Sequence, residues 1–360
     1  MSPAEGPLRV VHCTGSPVDD RWAALSRRYA AGALDALGGT APPLDGRWEH
    51  VVVDVSPDGS WRFPTSLERA DLAAAEPLDR ASGIARLASL GADVGVPQLF
   101  CHPGLTDHRA LLSLLGIPSV GNDAHVMALT IDKAMTRAVV ADAGVPVPAA
   151  VLVRRGDAPP QLAGPVVVKP VDGDNSTGVV LVDRATELRE ALEQALDASP
   201  AALVEDFVPL GREVRCGTIR RGGDLIALPL EEYAVDAASK PIREEADKLD
   251  WDADGDVHLV AKDDDHAWIV TDDDPAVPAV HELARTAHVA LGCTHHGLVD
   301  VRIDPDGRPW FLEAGPYCSF APSSVVVMMA AAAGIGLAEL FADAVDLARP
   351  SVAPALAALS

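Results

Sequence analysis

The sequence predicts an α/β protein that opens with a parallel sheet flanked by helices. Two observations lead there. Apolar runs such as LRVVH and HVVVDV read as buried strands, and they alternate with Ala/Leu-rich runs of helical period. No internal repeat interrupts this alternation, and 360 residues with 48% apolar content suffice for two or three separate cores.

The elements follow in chain order. Residues 22–37 read as a helix stopped at Gly38-Gly39, where glycine accepts positive φ. Residues 94–121 alternate again and close on GIPSVGN, which ends a first section at 1–124. A second section, 125–205, begins with MALTIDKAMTRAVVADAG, read as one helix ending at Gly144. VPVPAAVLV, GPVVVKP and VVLV are its strands, DGDNSTG is a loop, residues 185–197 are a helix and ALVEDFV is a further strand. The third section, 206–360, holds REVRCGTI, DLIALPL, a polar acidic stretch, a helix near 276–291, a hairpin over 297–314 and alanine-rich helices.

Composition narrows the function. A formal charge of −24 repels phosphate backbones, so nucleic acid is not expected as a partner. No stretch of about 18 apolar residues lacks a charge, so no membrane span is expected. The N-terminus has no basic region leading into an apolar run, so a secretory signal is not expected. The five cysteines are scattered without a CxxC pair, which fits a reducing cytoplasm.

Four places carry chemistry. In GLVDVRIDPDGRPWFLEAG, Asp300 and Glu313 are carboxylates inside strands that otherwise read as buried, a costly placement unless they are paired or hold a metal. A two-residue Asp306-Gly307 loop sets them directly opposite on one face. A three-residue Pro305-Asp306-Gly307 loop sets them on opposite faces unless a bulge restores the phase. The same-face arrangement is the expectation, able to hold magnesium with water and phosphate oxygens as further ligands. The alternative pairs Asp300 with Arg302 or another base. In VVVKPVDGDNSTGVVLV, Lys169 ends an apolar strand before a loop whose amides and hydroxyls can fold over phosphates. In LVEDFVPLGREVRCG, a crossing segment can present backbone groups to a base and Glu213 to a ribose. Lys133 lies on the IDKAMTR helix.

The order of these pieces resembles the D-alanine–D-alanine ligase branch of the ATP-grasp superfamily. That resemblance implies a three-domain ATP-grasp fold with an N-terminal Rossmann-like sheet, and an ATP- and magnesium-dependent ligase acting on small molecules. By position it implies that Lys133 and Lys169 contact phosphates, that Glu205 and the backbone of Val208 read adenine, and that Glu213 takes the ribose. Asp174, Asn175, Ser176 and Thr177 would cover the triphosphate, and Asp300 and Glu313 would bind magnesium. Lys169, Lys248 and Ser176 are the expected catalytic groups. Ser324 lies where the family binds an amino-acid carboxylate, and Asp19 near where it holds an amine. A homodimer in the cytoplasm is implied as well.

The chain departs from that pattern. Leu298 stands where the family has an oxyanion-stabilising arginine, and Gly315 where it has a metal-binding asparagine. Tyr317-Cys318-Ser319-Phe320 replaces the usual glycine-methionine segment. A narrower resemblance fits these changes. HCTGSPVDDRWAALSRRYA, VPQLFCHPGLTDHRALLSLLGIPSVGN, LGREVRCGTI, PLEEYAVD, PIREEADKL and PWFLEAGPYCSFAPSS look like the ligases of mycosporine-like amino acid biosynthesis. This implies that ATP phosphorylates the carbonyl oxygen of mycosporine-glycine and that a free amino acid, serine or threonine, displaces phosphate to give an imine. The alternative is a D-alanine–D-alanine-type dipeptide ligase acting through an acyl phosphate. His102, Arg243, Tyr317 and Ser319, in the matching runs, are substrate candidates beside Asp19 and Ser324.

Overall fold

The computed structural model describes residues 6–38, 47–173, 176–236, 238–243, 249–251, 257–259 and 266–349. The chain divides into two compact units. The first holds Met1–Ala124, Ser319–Val327 and Ile335–Ser360, the second His125–Cys318 and Met328–Gly334.

In the first unit, β1 (Leu8–Gly15) pairs in parallel with β2 (Trp48–Val55) and β4 (Val94–Pro97), and β3 (Trp61–Arg62) closes the edge antiparallel to β2. Valines dominate these strands, and β-branched side chains favour the pleated, doubly covered environment of a parallel sheet. Helices α1 (Asp20–Ala36), α2 (Arg69–Ala74) and α3 (Arg80–Ser89) connect the strands, and α4 (Arg109–Leu114) follows β4. Asp19 starts α1 by accepting a bond from the Trp22 amide at 2.8 Å. This satisfies one of the helix's orphan donors and is a structural use of a residue expected to meet substrate.

The second unit begins with two helices where the sequence predicts one. The single helix expected over MALTIDKAMTRAVVADAG is two, α5 (Ala124–Ile131) and α6 (Lys133–Asp142). Asp132 breaks it: its extended backbone starts a new helix and its carboxylate accepts from the Met135 amide at 2.8 Å. Lys133 therefore sits at a helix N-terminus, with its amide bonded to the Val171 carbonyl at 2.8 Å.

A four-stranded antiparallel sheet follows, in the order β5 (Ala150–Arg154), β8 (Ala201–Asp206), β6 (Val166–Pro170), β7 (Val180–Val182). Val166, Val168, Ala202 and Val204 pack with α7 (Leu188–Ala198) in one core. Successive side chains alternate faces, so Lys169 and Glu205 occupy the other face.

The second sheet runs β14 (Ala267–Ile269), β11 (Glu231–Tyr233), β9 (Arg212–Arg221), β15 (His296–Ile303), β16 (Pro309–Ala314), with β10 (Asp224–Ala227) paired to β9. A separate hairpin joins β12 (Leu249–Trp251) to β13 (Val257–Leu259). Val214, Cys216, Val299, Val301, Ile303 and Phe311 face Val280, Leu283, Ala284 and Ala287 of α8 (Val277–Ala290). The opposite face carries charge instead of apolar side chains. Helices α9 (Val325–Ala332) and α10 (Leu337–Ala348) end the described chain. Among the described residues no single helix is long and apolar enough to cross a membrane.

Candidate active site

The charged face of the second sheet is built by cross-strand register. One row reads Glu231 on β11, Arg215 on β9, Asp300 on β15 and Glu313 on β16. In the adjacent row Glu213 lies opposite Arg302. Glu231, Asp300 and Glu213 each meet an arginine across the ladder, whereas Glu313 on the edge strand faces Asp300. The Arg215 guanidinium donates to Asp300 Oδ1 at 2.5 Å and to Oδ2 at 3.3 Å. Arg302 donates to Glu213 at 2.5 Å and to the Val208 carbonyl at 3.3 Å. Burial opposes the charged form of Arg215, yet the carboxylate of Asp300 holds it ionised and its pKa well above the usual value.

Glu313 joins Asp300's face only because of a bulge. The hairpin closes through a three-residue Pro305-Asp306-Gly307 loop, with the Asp304 amide bonded to the Arg308 carbonyl at 3.0 Å. In that register Val301 opposes Phe311, and strict alternation would send Glu313 into the apolar core beside Phe311. The register shifts between Asp300 and Val301, Leu312 is left unopposed, and Glu313 comes opposite Asp300. The same-face expectation thus holds by the bulge route and not by a two-residue loop. The freed Leu312 carbonyl accepts from Lys169 at 3.4 Å.

Lys169 and Glu205 form a buried pair at 2.6 Å, with Arg137 3.8 Å from the same carboxylate. Lys133 donates to the Gly173 carbonyl and lies 3.7 Å from Glu313. Gly173, Ser176 and Thr177 edge the same space. Ser176 holds φ of +62°, a left-handed backbone that costs a non-glycine residue about 1–2 kcal/mol and turns the loop sharply ahead of Gly178. Gly211, at the end of the crossing segment, donates to the Ile303 carbonyl at 3.0 Å. A Cβ there would stand 2.7 Å from the Asp304 carbonyl oxygen, so only glycine permits that approach.

Lys133, Lys169, Ser176, Thr177, Glu205, Val208, Glu213, Arg243, Asp300 and Glu313 all line one cavity in the second unit. Asp174, Asn175 and Lys248 lie outside the described residues. Tyr317 belongs to the second unit but does not line that cavity. Asp19, His102, Ser319 and Ser324 belong to the first unit. There, the carbonyl of exposed His102 accepts from the Thr106 hydroxyl at 2.8 Å, and the Ser319 carbonyl accepts from Gln98 at 2.6 Å. Ser324 donates its amide to Ala321 at 2.9 Å just before α9.

Asp300 and Glu313 offer a donor set that fits magnesium. Two carboxylates face one another on neighbouring strands, and among the described residues no third His, Cys, Asp or Glu completes a metal cluster. Hard oxygens in that number suit magnesium, which keeps water and takes phosphate oxygens as its remaining ligands. Asp300 and Glu313 would hold it, and the cations now beside them mark where that charge is needed.

Arg215 and Tyr233 were not singled out in the sequence, and Arg302, weighed there as a partner for Asp300, pairs with Glu213 while Arg215 takes Asp300. Their signal was present: Glu213-x-Arg215 on one strand mirrors Asp300-x-Arg302 on another, and complementary charges two residues apart predict one face of paired strands.

In the second unit, a cavity between two antiparallel sheets, with lysines and carboxylates on its wall, defines an ATP-grasp fold. A family model described as D-ala D-ala ligase C-terminus matches residues 139–346. The D-alanine–D-alanine ligase of Gloeobacter violaceus is 31% identical over 252 residues, 66% of this chain and 76% of that protein. The D-Ala:D-Ser ligase VanG of Enterococcus faecalis superposes with a TM-score of 0.75 at 20% identity, covering 95% of this chain and 99% of that one. The Bacillus anthracis D-alanine–D-alanine ligase complexed with ATP gives a TM-score of 0.69 at 17% identity, over 95% and 97%. The chain belongs to the D-alanine–D-alanine ligase family and is an ATP-dependent, ADP-forming ligase.

Proposed function

We propose that the chain joins an amino acid to a carboxylate acceptor, as a D-alanine–D-alanine-type ligase acting through an acyl phosphate. One observation carries this: Lys133, Lys169, Asp300 and Glu313, distant in sequence, line a single cavity. In this reading the γ-phosphoryl group passes to a carboxylate oxygen of the acceptor and ADP departs. The amine of the second substrate attacks the carbonyl carbon, the carbon–oxygen bond to phosphate breaks, and the nitrogen loses a proton. Lys133 and Lys169 would leave their carboxylates for the phosphate oxygens. Glu205 and Val208 would meet the base, Glu213 the ribose, and Ser176 and Thr177 the triphosphate, with Asp174, Asn175 and Lys248 completing the set. Magnesium, held by Asp300 and Glu313, would neutralise charge on the phosphates. Asp19, His102, Tyr317, Ser319 and Ser324 would serve the two substrates. The three-domain division at 1–124, 125–205 and 206–360, a homodimer and a cytoplasmic site of action are part of the same reading.

A second reading is favoured by Leu298. It lies opposite Gly217, in the row next to Asp300, so neither position offers a cation there. An acceptor whose developing charge spreads into a conjugated ring has less need of one, which suits the carbonyl of mycosporine-glycine with serine or threonine as the amine. The assay is ADP release with D-alanine alone against mycosporine-glycine plus serine or threonine, with products read by mass spectrometry. Turnover on D-alanine alone supports the dipeptide reading, and turnover only with mycosporine-glycine replaces it. No ADP from either set removes both acceptors.

A further inference from the structure

The cavity's cations are matched to carboxylates, with one exception. Lys133 lies 3.7 Å from Glu313, Lys169 2.6 Å from Glu205, and Arg302 2.5 Å from Glu213. Asp300, also on the wall, is taken by Arg215 at 2.5 Å. Arg243 lines the same cavity and is only 8% exposed. Among the described residues it has no hydrogen bond and no ion pair. Its guanidinium instead lies over the Tyr233 ring, 3.5 Å from the centroid.

Tyr233 is itself held in place. Its hydroxyl donates to Glu231 at 2.5 Å, and the Arg215 guanidinium stands 5.4 Å from the ring centroid. Burial pushes the Tyr233 phenol well up, against the pull of Arg215 and Arg243, so the ring is neutral at physiological pH. A neutral ring attracts a cation through its face but leaves the in-plane N–H donors of a guanidinium unused. A buried cation with unused donors on a cavity wall is unfavourable until an anion arrives. The planar fork matches a carboxylate or a phosphoryl group with two parallel bonds, and stacking fixes its orientation beforehand.

We propose that Arg243, laid flat on Tyr233, is the receptor in this cavity for an anionic oxygen group of a ligand, a carboxylate or a phosphoryl group. The proposal rests on reading the cavity as the nucleotide site, and the test separates the two. Calorimetry on the full chain compares the wild type with Arg243→Met and Arg243→Lys. The probes are ATP and AMP with magnesium, and D-alanine and mycosporine-glycine with and without a non-hydrolysable ATP analogue. Arg243→Met keeps an apolar stem on the ring and removes the charge, so it should melt no lower than the wild type. Loss of a charged, two-pronged contact weakens binding by about tenfold or more. If ATP weakens by that factor while AMP does not, the group is phosphoryl. If a carboxylate probe weakens while ATP does not, the group is a carboxylate. Arg243→Lys should fall between, since it keeps charge without the fork, and it decides the matter if the methionine variant does not fold. Binding of every probe within twofold of wild type in both variants overturns the proposal. A wild type that binds no ATP overturns the nucleotide reading instead, and the carboxylate probes alone then decide Arg243.

Discussion

Asp300 and Glu313 face each other but differ in what their neighbours demand. On the proposed metal role, Asp300→Asn and Glu313→Gln should each lower ADP release by at least about a hundredfold, because a metal's contribution is several kcal/mol of transition-state charge stabilisation. The two should separate in a thermal melt. Asp300 is the bidentate partner of buried Arg215, whereas Glu313 has a 30% exposed side chain 3.7 Å from its lysine. Only Asp300→Asn should lower Tm, and near-wild-type turnover in either variant would remove that carboxylate from the metal site. At Lys169 stability and function can be pulled apart. Lys169→Ala leaves buried Glu205 with Arg137 at 3.8 Å as its remaining counter-charge. Breaking a buried pair from one side costs on the order of 3 kcal/mol. A Lys169→Met, Glu205→Gln double variant should recover most of that loss in urea unfolding, while the KM for ATP stays raised. Recovery of the wild-type KM would show that Lys169 serves packing alone.

At the level of elements, two small irregularities do most of the positioning. Asp132 divides a helix and so places Lys133 in the first turn of α6, against the strand that carries Lys169. Asp132→Ala removes the side-chain cap and should cost about 1 kcal/mol in chemical denaturation. It should also raise the KM for ATP severalfold, through the loosened first turn; an unchanged KM would show that α6 holds its lysine without the cap. The bulge at Leu312 is the second device. It turns Glu313 out of the α8-facing core and aims a carbonyl at Lys169. The sequence shows the acids but not the bulge. PDG reads equally as a two- or a three-residue turn, and the choice depends on which register buries Phe311 and keeps Glu313 solvated. The split helix was illegible for a related reason: an aspartate amid good helix formers is tolerated or becomes a cap according to what its neighbours pack on.

For the whole molecule, each unit buries a histidine whose proton affinity is depressed. Burial, then the nearby His50, brings His12 in the first unit down to about 3, against a raising bond from Gln98. Burial, then Arg220, brings His288 in the second unit down to about 4, against a raising bond from the Cys293 backbone. Unfolded, both titrate near 6.5. Their contribution is therefore complete above about pH 6.5 and is lost as pH falls towards the folded values, where the unfolded chain binds protons that the native chain does not. Each adds a slope of about 1.4 kcal/mol per pH unit within that window. His12→Gln should flatten the fall in unfolding free energy between pH 6.5 and 4, measured in urea. A slope equal to wild type would show that His12 is not the group responsible.

What the sequence determined by itself was whatever depends on local period and chain order: alternating strands and helices, a sheet of valines, and lysines and acids in the succession of an ATP-using ligase. Which charges meet was left to the packing of the folded chain. Asp300 turned to Arg215, and Glu213 to Arg302, because side-chain pairing in a sheet follows register. A single bulge moves every later side chain to the other face, and that choice is made by the packing of distant strands on α8.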